Sequence, residues 1–352
     1  MDRILVVNTG STSTKVAIFE DEKKTCEANI EHPSEELKKY DSPLDQCDMR
    51  TKAVREFLDE VGFSPVDFSA VAARGGSYAV LEAGAYEVDA SFLNMVATSK
   101  RTPGASWNSC LIAAKIAEQA GIKAYIYDAV SVDEMYDVAH ISGLPQISRK
   151  AAAHTLNTKA VARMFAKRMG RRYEDMNFVI AHMGGGISTS AHCKGRIVDM
   201  NADDEGTFSP ERPGRVPCSS LVDLCYSGEY TYKQAKKLMR GQGGLVAYLG
   251  TNSAVEVEEM IADGDLKAKL IYEAMGYQIS KDIAAMAAAM SFKVDRIIMT
   301  GGIAHSKMLT DMIKERVEKI APVEIIAGSF EMEALAAGTL RVLRGEEQAK
   351  RY

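Results

Sequence analysis

Two short polar loops carry the side chains best suited to chemistry. Asn8 precedes the hydroxyl-rich turn Thr9-Gly10-Ser11-Thr12-Ser13-Thr14, which ends at Lys15. His182-Met183-Gly184-Gly185-Gly186 holds three consecutive glycines. Glycine has no Cβ, so backbone N–H groups in such a turn can approach an anion closely. The chemistry implied is the grip of a phosphate. Asn8, Gly10, Ser11, Thr12, Ser13 and Lys15 are the candidates in the first loop, and His182, Gly184, Gly185 and Gly186 in the second. A further pair, Gly301-Gly302, stands before Ile303. Open backbone there admits the flat base of a nucleoside. Taken alone, either loop is also consistent with an ordinary hairpin turn.

The elements that must position these loops follow from the flanking residues. Arg3 to Asn8 and Phe178 to Ala181 are apolar runs that read as buried strands. Lys15 to Glu20 and Ser188 to Cys193 read as return strands, with turns at Asp21 to Lys24 and at Lys194-Gly195, and Arg196 to Met200 as a third strand. Asn8 and His182 thus occupy matching positions 174 residues apart, close to half of the 352-residue chain. That spacing is too long for a solenoid repeat and implies a duplication, with two related domains whose polar loops face each other across a cleft.

Further along, Ala28 to Tyr40 reads as polar surface, Thr51 to Gly62 as a helix, Ala105 to Ala120 as a helix closed by Gly121, and Ala124 to Tyr127 as a strand ending at Asp128. Ala151 to Met169 reads as a helix capped by Ser148. Glu205 to Pro217 is a Gly- and Pro-rich loop with Arg212 and Arg215. Leu266 to Met290 reads as a long buried helix, Asp295 to Thr300 as a strand, Gly301-Gly302-Ile303 as the opening of a helix, and Phe330 to Leu343 as a C-terminal helix. Strands and helices alternate in both halves, so the class is α/β.

Composition narrows the function classes. The chain is 46% hydrophobic and 26% charged, ordinary for a globular protein, with a net charge of −5. A nucleic acid as main partner is excluded for want of a basic surface. The apolar stretch Ile283 to Met290 is too short to span a bilayer, and Met1-Asp2-Arg3 leads directly into a strand with no signal peptide, so the expectation is a cytoplasmic protein without a membrane partner. Its six cysteines form no CxxC pair and read as reduced thiols. Gly10 to Lys15 fails the Walker pattern, because the glycine before the lysine is missing and a strand follows. No GxGxxG lies between a strand and a helix.

The ordered set VVNTGSTSTK, RGG, YDAVSVDEM, AHMGGGIS, FSPERPG, GQGGLVAYLGTN, TGGIAHS and FEMEALAAGTLRVLRGEE spans the chain. It resembles the butyrate kinases, in the acetate kinase branch of the actin, hexokinase and sugar-kinase superfamily. The resemblance implies a duplicated ribonuclease-H-like (actin-like ATPase) fold with two domains around an ATP cleft. The N-terminal domain would span 1–148, with the C-terminal helix 330–352 packed on it, and the nucleotide-binding domain 149–329. It also implies a homodimer, and Mg²⁺-dependent transfer of the γ-phosphoryl group of ATP to a short-chain fatty acid, giving ADP and an acyl phosphate, or the reverse.

By the same resemblance, Asn8 to Lys15 and His182 to Ser188 are the phosphate loops and Gly301, Gly302 and Ile303 the adenosine motif. Asp128 is the acidic residue tied to Mg²⁺. His154 stabilises the transferring phosphoryl group, and Arg74 and Arg212 are catalytic arginines, with Arg215 competing for the role of Arg212. Two positions depart from the acetate kinases. Thr102 to Ser106 replaces a segment with a histidine, and Ala304-His305 stands where those enzymes have a glutamate. Glu331 or Glu333 is the candidate to supply that metal-side carboxylate. A carboxylate acceptor is ionised at neutral pH and needs no general base; the demand is charge stabilisation and in-line geometry. Kinases for branched or other short acids such as isobutyrate and propionate, or a non-catalytic nucleotide-binding protein of the same fold, are the alternatives.

Overall fold

The computed structural model describes residues 1–202 and 204–352. The chain divides into two compact units: Met1–Asp133 with Phe330–Tyr352, and Glu134–Ser329. The division lies earlier than 148. Glu134 pairs with Lys159 at 2.7 Å, accepts from the N–H of Ile197 at 3.1 Å, and is followed by Tyr136, whose N–H donates to the carbonyl of Val198 at 2.9 Å. The segment after Asp133 is therefore tied into the second unit.

The first unit is built on β1 (Arg3–Thr9), β2 (Ser13–Glu20), β3 (Lys23–Glu31), β4 (Ala70–Arg74), β5 (Ala85–Glu87) and β6 (Lys123–Tyr127). Their order is β3-β2-β1-β4-β6-β5. β1, β2 and β3 pair antiparallel, and β1, β4 and β6 parallel. β3 lies where the sequence reads as a turn and polar surface. It is an edge strand in which only Cys26, Ala28 and Ile30 turn inward, a period of two diluted by charged neighbours. The helix Cys47–Glu60 buries Cys47, Arg50, Thr51, Val54, Phe57 and Leu58, one face of a 3.6-residue period. The C-terminal helix Glu331–Leu343 packs across β1, β4 and β6. Gly338 permits this, because a Cβ there would overlap the ring of Tyr127.

The second unit holds β7 (Asn177–Met183), β8 (Ile187–Cys193), β9 (Arg196–Asn201), β10 (Arg296–Gly301) and β11 (Val323–Ala327), in the order β11-β10-β7-β8-β9. β7, β8 and β9 pair antiparallel, and β7, β10 and β11 parallel. Strand for strand this repeats β3-β2-β1-β4-β6, with Asn8 and His182 each sixth in its strand. The long helix Leu266–Ala289 lies on β7, β8 and β9, and buries Tyr272, Met275, Ile279, Ile283 and Met286. The helix Thr155–Arg168 begins later than its alanine-rich lead predicts. Ser148 is not its cap; His154 holds that position.

Candidate active site

In the first unit the parallel strands place their carboxyl ends side by side, where ligands gather in such sheets. Register aligns Val7 with Ala73, Ala73 with Ile126, and Arg74 with Tyr127. Asn8, Arg74 and Asp128 therefore leave three adjacent strands at one edge. Glu331, first residue of the C-terminal helix, joins them. Its Oε2 accepts from Asn8 Nδ2 at 2.9 Å and from Arg74 Nη1 at 3.0 Å. A carboxylate in the first turn of a helix also sits well with the helix dipole. Arg74 Nε is buried and has no hydrogen-bond partner among the described residues. Glu333 is elsewhere, paired with Lys24 at 3.0 Å.

Asp128 is 2% exposed and takes a φ of 40°, a left-handed conformation that an aspartate tolerates. Its Oδ1 accepts from Gly84 N at 2.9 Å, and its own N–H donates to Gly84 O at 3.2 Å. One carboxylate oxygen thus braces a loop. Among the described residues no group of three or more His, Cys, Asp or Glu side chains could hold a metal ion by itself. Mg²⁺ arriving with nucleotide phosphates takes one or two carboxylates, and Glu331 and Asp128 have the right chemistry for that.

The first loop is tight and open to solvent. Gly10 N donates to Ser13 O at 2.8 Å, while Gly10, Ser11, Thr12 and Lys15 are exposed. Thr9 Oγ1 donates to Ala105 O at 2.7 Å, which ties the Thr102 to Ser106 segment to the end of β1.

In the second unit the glycine loop is partly enclosed, with Gly186 buried and Gly185 exposed. The rings of His154 and His182 stack with centroids 3.8 Å apart and planes 11° apart. His154 Nδ1 lies 2.9 Å from Ser188 Oγ, and Asn157 Nδ2 lies 2.9 Å from His182 Nδ1 and 3.2 Å from Thr300 Oγ1. The Glu205 to Pro217 loop folds onto the glycines: Ser209 Oγ donates to Gly185 O at 2.8 Å. A Cβ on Gly186 would overlap the Arg212 guanidinium, so this glycine is what admits Arg212. Arg215 is taken up otherwise, in a 2.9 Å ion pair with buried Asp282, whose other oxygen accepts from Thr207 N at 2.7 Å. Burial holds the Asp282 carboxyl above its ordinary range despite that partner.

Gly301 ends β10 beside this loop. Its φ of 91° and the nearness of the Met183 carbonyl exclude a side chain. Gly302 and Ile303 form a short 3₁₀ turn, and the following helix starts only at Lys307. The second unit thus gathers His154, His182, the Gly184 to Gly186 loop, Arg212 and the Gly301 to Ile303 turn. Reading the sequence alone missed Asn157, which holds His182, and did not pair Ser188 of the glycine loop with His154; these contacts cross 25 and 34 residues and leave no local pattern.

The repeated sheet defines the class of fold, a duplicated actin-like α/β fold. The chain belongs to the acetokinase family, whose model matches residues 132–325. Butyrate kinase 2 of Clostridium acetobutylicum is 46% identical over 352 residues, covering 99% of each chain. A probable butyrate kinase of Thermotoga petrophila is 46% identical over 353 residues, 100% of this chain and 99% of that one. Among solved structures, Porphyromonas gingivalis acetate kinase superposes with a TM-score of 0.80 at 18% identity, over 97% of this chain and 100% of its own. A propionate kinase from Francisella tularensis gives 0.76 at 17% identity, over 96% and 99%.

Proposed function

We propose that this protein is a butyrate kinase: it transfers the γ-phosphoryl group of ATP to the carboxylate of a short-chain fatty acid, reversibly and with Mg²⁺. The observation that carries this reading is the 46% identity with butyrate kinase 2 over 99% of both chains. In the forward direction a carboxylate oxygen forms a bond to the γ-phosphorus as the bond to the bridging oxygen of ADP breaks. The acid is already ionised, so no proton has to be removed. The work left to the protein is to bring two anions together and spread the charge of the transferring group.

Arg74 and Arg212 supply fixed positive charge for that group, and His154 a hydrogen bond to it. The loops at Asn8 to Lys15 and Gly184 to Gly186 take the nucleotide's phosphates, His182 included, and Gly301 to Ile303 its adenosine. Glu331 and Asp128 would hold Mg²⁺, which supplies charge neutralisation on the phosphates when bound. Glu331 also fixes the guanidinium of Arg74, as their 3.0 Å contact supports.

The reading includes a homodimer. In support, the helices Cys218–Tyr226 and Tyr232–Met239 bury none of their side chains in the unit and leave Val222, Tyr226 and Tyr232 exposed. A monomeric mass in solution at micromolar concentration would overturn that part.

The test of the activity is purified protein with MgATP and a panel of C2 to C6 acids, straight and branched, in hydroxylamine, which traps acyl phosphate as a hydroxamate. Hydroxamate formation is expected with butyrate. No hydroxamate with any acid would overturn the kinase reading.

A further inference from the structure

Arg50 is the largest charged side chain in the first unit's interior, at 0% exposure. It occupies a core position of the helix Cys47–Glu60, in line with Cys47, Val54 and Phe57, where an aliphatic residue would satisfy the pattern. The position is costly in two ways. Burial depresses the guanidinium's pKa, and a cation in the first turn of a helix opposes the helix dipole. Every partner of Arg50 is neutral. Nη1 donates to Ser13 O at 2.9 Å and Thr14 Oγ1 at 3.1 Å, Nη2 to Ser11 O at 3.0 Å, and Nε and Nη2 both to Gln46 Oε1, at 3.1 and 2.9 Å. Among the described residues no carboxylate lies within ion-pair distance of it.

The acceptors are the carbonyls of the first loop itself. Thr12 O is also turned inward, where it accepts from His32 N at 2.8 Å. His32 Nε2 lies 2.9 Å from Thr14 Oγ1, and burial together with Arg50 keeps this imidazole below its ordinary pKa, so it adds no charge. With the carbonyls held from inside, the amide N–H groups of exposed Ser11 and Thr12 have no partner among the described residues. Free N–H groups in front and one unneutralised cation behind make an anion-binding face.

We propose that Arg50 is a positioning residue of the first loop: it braces the loop's carbonyls from behind and lends its uncompensated charge to the face that receives the nucleotide's phosphates. The inference rests on the reading of Gly10 to Lys15 as a phosphate loop. It explains why an arginine, and not an apolar residue, fills this core position.

Gln46→Glu provides the test, because it is isosteric. The bidentate contact with Arg50 survives, and the new carboxylate cancels the charge. Affinities for ATP and for adenosine are measured by calorimetry for wild type, Gln46→Glu and Arg50→Lys, with Tm recorded for each. Wild type should bind ATP more tightly than adenosine. Gln46→Glu should keep its Tm and its adenosine affinity, yet lose roughly tenfold in ATP affinity, the scale of one unit charge acting over about 10 Å at an effective dielectric near 20. Arg50→Lys, which keeps the charge but has fewer donors, should retain more of the ATP preference than Gln46→Glu does. Undiminished ATP binding by folded Gln46→Glu overturns the inference while leaving the phosphate-loop reading in place. Wild type that binds ATP no better than adenosine overturns both.

Discussion

Replacing Arg74 by alanine separates catalysis from stability. The residue makes one 3.0 Å ion pair with Glu331, between side chains 25% and 15% exposed. A charge-assisted bond in such a half-wet place contributes about 1–2 kcal/mol to stability. For a unit of this size that lowers Tm by roughly 2–8 °C, and a domain with about 5–15 kcal/mol in hand stays folded at 25 °C. Loss of a preorganised charge aimed at the transferring group costs far more in rate, on the order of 10²-fold or greater, about 2.7–4 kcal/mol. The assay is kcat at saturating MgATP and butyrate, by hydroxamate trapping, beside a calorimetric Tm. Glu331→Gln should show the same imbalance, since it keeps the shape but removes the charge that fixes the guanidinium. Near-wild-type turnover in folded Arg74→Ala would show that the arginine merely ties the C-terminal helix to β4.

Other outcomes follow from the second unit. His154→Ala should lower kcat much more than it raises KM for ATP; the opposite split would place the ring in binding and not in chemistry. Gly186→Ala should cut kcat by about tenfold or more with little change in Tm, because the new Cβ displaces the Arg212 guanidinium; unchanged kcat would remove Arg212 from the site. Arg215→Ala should destabilise in a pH-dependent way. The Asp282 carboxyl is already held above its ordinary range by burial, so the folded state binds its proton more tightly than the unfolded state. Stability is then lost as pH rises from about 4 towards the folded value, and removing the arginine steepens that loss. The Tm deficit of the variant should be larger at pH 7.5 than at pH 4.5, and equal deficits would mean the ion pair is not its cause.

Much of the fold is legible locally. β1, β2, β7 and β9 announce themselves as apolar runs bounded by turns that small or polar residues make, and β8 is marked by the turns at Gly184 to Gly186 and Lys194-Gly195 on either side of it. β3 hides because an edge strand buries only alternate residues and its exposed face is filled with lysines and glutamates. The start of the helix Thr155–Arg168 is misread for a different reason. Ala151 to Ala153 favour helix, but the His154 ring is held by Ser188 and stacked on His182, so the chain turns helical only after it. Tertiary contact overrides propensity there.

The candidate site is legible in its residue types and illegible in its pairings. Glu331 stands 323 residues from Asn8 and 257 from Arg74, and nothing local signals that one carboxylate serves both. Arg212 and Arg215 share one loop and one composition; what tells them apart is the buried Asp282 opposite Arg215 and the space Gly186 leaves for Arg212. Arg50 is concealed by its charge. A reading that seeks apolar spacing begins the helix one residue after it.

The function proposed is that of a carboxylate kinase whose acid site fits a four-carbon tail. Acids of this series differ only in that tail, and each buried CH₂ is worth about 0.8 kcal/mol, so the two extra carbons of butyrate should give roughly 15-fold over acetate. The decisive measurement is kcat/KM for butyrate and acetate side by side at fixed MgATP. Butyrate is expected ahead by roughly 15-fold. Acetate equal to or better than butyrate would contradict it.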